Sequence, residues 1–390
     1  MLHQHKPREQ NGRDAFGRFR AQARSAAIAS LSILERNGID RVYCDLHDDF
    51  VVREVNENGF GYIFYQVKTN GKQNHNWTLN ELFGLLTQKG KINSQNESNI
   101  KNSFLGKMLL HTIMFDNYCN AIVFQTNINN HDDVNSLHFD ILSGKFENKF
   151  SDILVSKFNQ IYSKEVGRDL SEESIKEKLS KIKFETDVQY LKLTDETFES
   201  LARDKIYKFS EIDLHYNESK EILIKLLNLI EKKSSGIIHE LTIDSIETKA
   251  AVSIDDLLSV MSISKDAYDT LAAGGDNQAI KNASIIQRLL TSVGASSLQI
   301  EYCSRCKTNW DLWVRNNRHS IPEFDLQSVL IIIQSTLSSI IKNDTYLDIN
   351  KLRPLVVSAI KNLEAEELLF DLDRDLILGA FWAEIVRIKS

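Results

Sequence analysis

The hydrophobic pattern of the chain changes period several times along its length. From residue 14 to about 37, "DAFGRFRAQARSAAIASLSILERNG" carries an Ala-rich apolar stripe among good helix formers and stops at Gly38, which predicts one helix. Three β-like runs follow at 41–45, 50–55 and 62–68. The last two are separated by "NENGFG", whose Asn and Gly favour a tight reversal, so a β-meander is expected after the helix. The polar passage "TNGKQNHNWTLNELFGLLTQKGKINSQNESNIKNS" reads as a short helix around 79–88 and loop elsewhere. "NAIVFQTN", 120–127, is a compact apolar run bounded by turn formers and reads as a further strand. The order αβββαβ predicts a mixed sheet flanked by helices.

From residue 136 to about 233 the pattern is helical, except that "VQYLKL", 188–193, could add an edge strand. "ESKEILIKLLNLIEKKSSG" ends in a charged, Ser- and Gly-containing hinge, which puts a boundary near Ser234. The remainder, including "DLQSVLIIIQSTLSSIIKN" and "DLDRDLILGAFWAEIVRI", reads as all-α. Prolines occur only at Pro7, Pro322 and Pro354, so long helices are expected between the first two. The organisation is an α/β domain over 1–235 with a helical extension, then a helical region over 236–390 for oligomerisation or partner binding.

Composition narrows the class. With 390 residues, 42% of them hydrophobic and 26% charged, the chain can bury two or three ordinary cores. No apolar run is long enough to span a bilayer and "MLHQHKPREQNGR" has no secretory character, so a cytoplasmic address is expected. Four cysteines are too few for a disulfide framework. Cys303 and Cys306 form a lone CxxC; His319 alone does not complete a zinc set, and an incidental pair on a helix is the expectation. The net charge of −7 offers no whole-chain attraction to nucleic acid, leaving a local cluster of Lys6, Arg8, Arg13, Arg18, Arg20 and Arg24, which outnumbers Glu9 and Asp14. Such a cluster is commonly a solvated helix face and gains meaning only beside phosphate chemistry. Trp310 and Trp313 read as core or interface, and Gly274 and Gly275 lack the Lys-Ser/Thr pair of a phosphate-binding loop.

The chemistry concentrates in "HDDFVVREVNENGFGYIFYQVKTNGK". Side chains two apart on a strand share a face, so Gln66 and Lys68 point one way and Tyr65 and Val67 the other. Asp49, or Asp48 as the alternative, enters the neighbouring strand at the same end. A carboxylate, the Gln66 carboxamide oxygen and the Val67 carbonyl suit Mg²⁺ or Mn²⁺, and Lys68 can orient an attacking water and offset developing charge.

"GRFRAQARSAAIASL", "DDFVVRE", "FYQVKT", "WTLNEL" and "AIVFQTN", in this order, resemble the double-stranded DNA endonuclease domain of CD-NTase-associated effectors in bacterial anti-phage systems, a branch of the PD-(D/E)XK nucleases with a QxK variant. The resemblance implies a restriction-endonuclease-like fold and a metal-dependent endodeoxyribonuclease with Asp49, Gln66 and Lys68 as its site. Gln22 matches the helical Gln of the family, and with Arg18 and Arg20 it is a candidate DNA contact. Gln66 stands where an acid is usual, which removes one charge from the metal site. Effectors of this type often end in a cyclic-oligonucleotide-sensing SAVED domain, whereas a helical C-terminal region is more like nucleases paired with a HerA-type hexameric ATPase. Expected partners are therefore double-stranded DNA, further copies of the chain and such an ATPase, with no membrane. The alternatives are a cyclic-oligonucleotide-activated effector and a catalytically silent scaffold.

Overall fold

In the computed structural model, the described residues are 10–57, 59–72, 74–88, 94–192, 195–210, 216–318, 320–341 and 349–389. They form two compact units, one running to Ala202 and including Leu223–Ile254, the other made of Arg203–Ile222 and the chain from Asp255 onward. The sequence boundary near Ser234 falls within the second segment of the first unit.

The first unit is built on a six-stranded mixed sheet. Its strands are β1 (Ile39–Cys44), β2 (Phe50–Asn56), β3 (Gly59–Lys68), β4 (Cys119–Thr126), β5 (Ile182–Glu185) and β6 (Ala251–Val252), in spatial order β5-β4-β3-β2-β1-β6. The β1-β2-β3 meander is antiparallel, whereas β4 lies parallel to β3 and β5 parallel to β4. The β2-β3 hairpin closes at the pair Asn56 and Gly59, and Gly59 takes φ +131°, open to glycine alone among common residues.

Helix α1 (Gln10–Leu31) continues into a 3₁₀ turn at Ser32–Glu35, so the predicted helix starts earlier and tightens before its end. Its buried Ala21, Ala26 and Ala27 allow it to lie close to one face of the sheet, the face of Phe50, Val52, Val67 and Val123. On the other face Val51, Phe64, Ile122 and Phe124 pack with Leu105, Met108 and Leu109 of α4 (Phe104–Met114), after the short helices α2 (Leu79–Phe83) and α3 (Glu97–Asn102). The motif "WTLNEL" is a helix start: Thr78 and Glu81 form a reciprocal capping box, and Gly84 ends α2 in the left-handed conformation, shorter than predicted. Residues 97–102, expected as loop, form α3 because Asn96 caps them and Ile100 is buried.

The edge strand expected at 188–193 is not one. Gln189–Leu191 is a 3₁₀ turn, Leu193 lies outside the described residues, and the edge position is taken by β5, whose four residues alternate too briefly to stand out. The region beyond Ser235, read as all-α, also supplies β6, which pairs antiparallel with β1 through Val42–Val252 and Tyr43–Ala251. Between them run α5 (Asp132–Leu142), α6 (Lys149–Val166), α7 (Glu172–Ser180), α8 (Asp195–Ser210), α9 (Tyr216–Ser235) and α10 (Ile243–Lys249).

The second unit is helical, with α11 (Ile254–Val260), α12 (Lys265–Ala273), α13 (Ala279–Thr291), α14 (Ser297–Asn317), α15 (Glu323–Ile341), α16 (Ile349–Ala365) and α17 (Arg374–Lys389). Helices α14 and α17 cross closely at Gly379, where an added Cβ would lie 2.0 Å from the Cys306 carbonyl oxygen. Trp310 and Trp313 stack on each other in the core, 5.3 Å between centroids, and Trp313 donates to Asp371, so neither is free for a base. Cys303 and Cys306 are buried and unpaired in α14, their thiols pushed up by burial to about 12 and about 11, and His319 lies outside the described residues. Among the described residues no helix is long and apolar enough to cross a membrane.

Candidate functional site

β2 stops pairing with β3 at Phe50 and Tyr65, whose rings stack 4.4 Å apart. Beyond that pair, Gln66, Val67 and Lys68 have no β2 partner. Asp49, the residue before Phe50, therefore sits level with Gln66 at the edge of β3 that β2 leaves open. Its Oδ2 accepts from the Val67 N–H at 2.6 Å and from Gln66 Nε2 at 2.6 Å, with Lys68 Nζ at 3.5 Å. Its Oδ1 accepts from Gln22 Nε2 of α1, also at 2.6 Å. Four polar groups thus converge on one carboxylate whose side chain is only 12% exposed.

The register explains the convergence. An extended residue points its N–H and C=O to the same side of the strand, so the Val67 carbonyl opens toward Asp49 just as its N–H does. Lys68 lies with its ammonium 5.8 Å from the centroid of the Phe104 ring, an apolar wall that limits its freedom.

Asp48 takes a different place. Its carboxylate meets Nε2 of His111, 3.2 Å away on α4, and His111 stacks on Phe64 with centroids 4.3 Å apart. Burial pushes the Asp48 carboxyl above its ordinary range, partly offset by His111. Of the two aspartates, Asp49 is the one facing Gln66 and Lys68. The His111 contact was not legible in sequence, because nothing in "LLHTIMF" links it to a position more than sixty residues earlier.

The basic cluster divides. Arg13, Arg18 and Arg20 are exposed, and the Arg20 guanidinium lies over Phe16. Arg24 instead is 6% exposed, with its guanidinium 5.5 Å from the Phe198 ring centroid; burial, then Arg20, lowers its pKa. It belongs to the core beneath α1, and Lys6 and Arg8 lie outside the described residues. Gln22, read as a DNA contact, turns inward to Asp49.

The sequence profile of the Cap4 double-stranded DNA endonuclease domain matches residues 10–234. The chain belongs to this family. Among solved structures, the Acinetobacter baumannii Cap4 SAVED/CARF-domain containing receptor with the cyclic trinucleotide 3'3'3'-cAAA is 12% identical over 74% of this chain and 57% of its own, at a TM-score of 0.34. The Moraxella osloensis Cap4 SAVED/CARF-domain containing receptor is 11% identical over 74% of this chain and 67% of its own, at 0.33. The chain therefore spans little more than half the length of the first of these receptors. No curated protein matches.

The donor set around Asp49 holds a single carboxylate. Among the described residues no group of three or more His, Cys, Asp or Glu is arranged to hold an ion. What Asp49 offers is one anionic oxygen ligand beside a carboxamide and a peptide carbonyl. Mg²⁺ accepts such a set, since it commonly takes one or two carboxylates and completes its shell with water and phosphate oxygens. The carboxamide of Gln66 now turns its nitrogen to Asp49; a half-turn about its last bond offers the oxygen instead.

Proposed function

We propose that this protein is a divalent-metal-dependent double-stranded DNA endonuclease of a bacterial anti-phage defence system, activated by assembly. The observation that carries the reading is the convergence of Gln22, Gln66, Val67 and Lys68 on the single carboxylate of Asp49, where β3 runs on past the start of β2. Asp49, the Gln66 carboxamide oxygen and the Val67 carbonyl would hold Mg²⁺ or Mn²⁺, which supplies Lewis-acid polarisation of the phosphate. Gln22 fixes the orientation of Asp49. Lys68 hydrogen-bonds the attacking water and offsets charge on the phosphate oxygens as it develops. Arg18 and Arg20, exposed on α1, contact backbone phosphates without reading sequence.

In this reading residues 1–235 cut DNA and residues 236–390 receive the partner, a HerA-type hexameric ATPase, or further copies of the chain. Helix α17 cannot serve as the docking face, because Ile377, Phe381, Trp382 and Ile385 are buried within its own unit; α15, with Phe324 and Ile331 exposed, is the better candidate.

Plasmid nicking by wild type, Asp49→Ala and Lys68→Ala, with Mg²⁺ and with EDTA, tests the site. Each substitution is expected to lower the rate at least about 100-fold, as loss of an electrostatic stabiliser does. Equal cleavage by all three ends the proposal. The single carboxylate also supports a scaffold reading, which predicts that Lys68→Ala protects cells from phage as well as wild type does.

A further inference from the structure

From Ala121 β4 is apolar until its end, where three polar residues follow one another: Gln125 and Thr126, and Asn127 just beyond the strand. Gln125 is 2% exposed and Thr126 fully buried. Polar groups in such a place cost free energy unless each finds a partner, and valine or leucine would fill the same space without that demand.

Each of the three bonds to a segment outside its own strand. Gln125 accepts from the Ser25 hydroxyl on α1, and its Nε2 donates to Glu185 at 2.6 Å and to the Tyr190 hydroxyl at 3.0 Å. Thr126 accepts from the indole N–H of Trp77 at 2.9 Å, and Trp77 is itself joined by its backbone to Asn129 and His131. Asn127 engages the backbone of Asn70 twice, accepting its N–H at 2.8 Å and donating to its carbonyl at 2.9 Å.

These segments carry the site. Ser25 lies three residues from Gln22, hence on the same face of α1. Asn70 is two residues beyond Lys68, and Trp77 closes the loop that follows. In register, Val67 pairs with Gln125 and Lys68 with Thr126.

We infer that Gln125, Thr126 and Asn127 form a positioning strip: Gln125 sets the height of α1 so that Gln22 meets Asp49, while Asn127 and Thr126 pin the loop that follows Lys68. None of the three touches the reacting atoms. They act through Gln22 and Lys68, and their part in catalysis rests on the nuclease reading above. A fully satisfied buried network specifies one arrangement, and displacements near 1 Å at a reacting centre cost rate steeply.

Two measurements test the strip. The first is hydrogen exchange by mass spectrometry on the full chain, which needs no cleavage activity. Gln125→Leu should speed exchange in peptides covering 18–26, and Asn127→Ala in those covering 66–72, with β1 and β2 unchanged; unchanged exchange in both segments overturns the inference whatever the enzyme does. The second is DNA cleavage. Both substitutions should lower kcat about 10- to 100-fold with KM within about 3-fold. Asn127→Asp, which keeps the acceptor for the Asn70 N–H, should recover part of the rate. Gln125→Leu should cost almost nothing more in a Gln22→Ala background. Additive losses in that cycle, or losses that merely follow the folded fraction, overturn the positioning role. Wild type that shows the expected exchange pattern but does not cleave even when assembled with its partner removes the nuclease reading and leaves the strip as a structural clamp.

Discussion

Substituting Gln66→Glu would set a second carboxylate beside Asp49, and the structure predicts that without metal the exchange is harmful. Gln66 Nε2 donates to Asp49 Oδ2 at 2.6 Å, and a glutamate there has no proton to give when ionised. The lost hydrogen bond to a charged acceptor is worth about 1.5–3 kcal/mol. Two carboxylates about 4 Å apart repel by about 4 kcal/mol at an effective dielectric of 20. Lys68 Nζ, 3.5 Å from Asp49, offsets part of this, and the introduced carboxyl can relieve more by binding a proton. The net cost at neutral pH in EDTA is about 2–4 kcal/mol, the two contributions not being additive.

The introduced carboxyl's pKa would be raised in the folded state, so the folded form binds more protons above the ordinary carboxylate pKa. The variant's stability relative to wild type should therefore fall as the pH rises from 5 to 8. Added Mg²⁺ should offset part of the deficit, because an ion held at ten times its Kd contributes about 1.4 kcal/mol. Urea denaturation at pH 5 and pH 8, with EDTA or 10 mM-scale Mg²⁺, separates these effects. A variant as stable as wild type in EDTA at pH 8, and indifferent to Mg²⁺, would show that Gln66 and Asp49 do not share a site, and the metal reading would fall with it.

Other expectations concern the helical unit. Gly379→Ala should destabilise it by about 1–3 kcal/mol despite alanine's better helix propensity, since the new Cβ meets the Cys306 carbonyl; an unchanged denaturation midpoint would contradict the close crossing. All four thiols should resist a chromogenic disulfide reagent at pH 8 in the native protein and react after denaturation, and rapid native labelling of Cys303 or Cys306 would refute their burial. Burial raises the carboxyl of Asp276, but Lys307 at 2.8 Å and the Asn282 amide outweigh it and hold it below its ordinary range. The stability this provides is present above about pH 4 and is lost as the pH falls through the lowered value, so Asp276→Asn should flatten the acid limb of the stability curve.

The hairpin and the meeting of its candidate residues were legible because strand alternation fixes which side chains share a face. Gln66 and Lys68 share a face by period alone, and the offset between "DDF" and "YQVK" brings Asp49 opposite Gln66 once Phe50 pairs with Tyr65. Local signals also carried α1 and β4. What stayed hidden depends on contacts between distant positions. Nothing local distinguishes buried Arg24 from exposed Arg20, because the difference is made by Phe198. β5 and β6 are too short to show a period and exist because a neighbouring edge is there to be paired. The end of "AIVFQTN" held a usable clue: polar residues closing an apolar strand need partners, and that demand anticipates the latches even where it cannot name them.

The pairing of β6 with β1 bears on how the molecule is made. β1 leaves the ribosome early with one edge bare, and its cover arrives only after α9 and α10 have been synthesised. The same late segment brings Glu247, which bonds Arg41, Tyr43 and Arg53 on β1 and β2. A nascent chain stopped at residue 234, where the family match ends, would therefore expose an open strand edge and two half-buried arginines stripped of one carboxylate partner. Completion of the sheet is a late, long-range event, of the kind that slows folding and lengthens the interval in which a second strand could add to that edge.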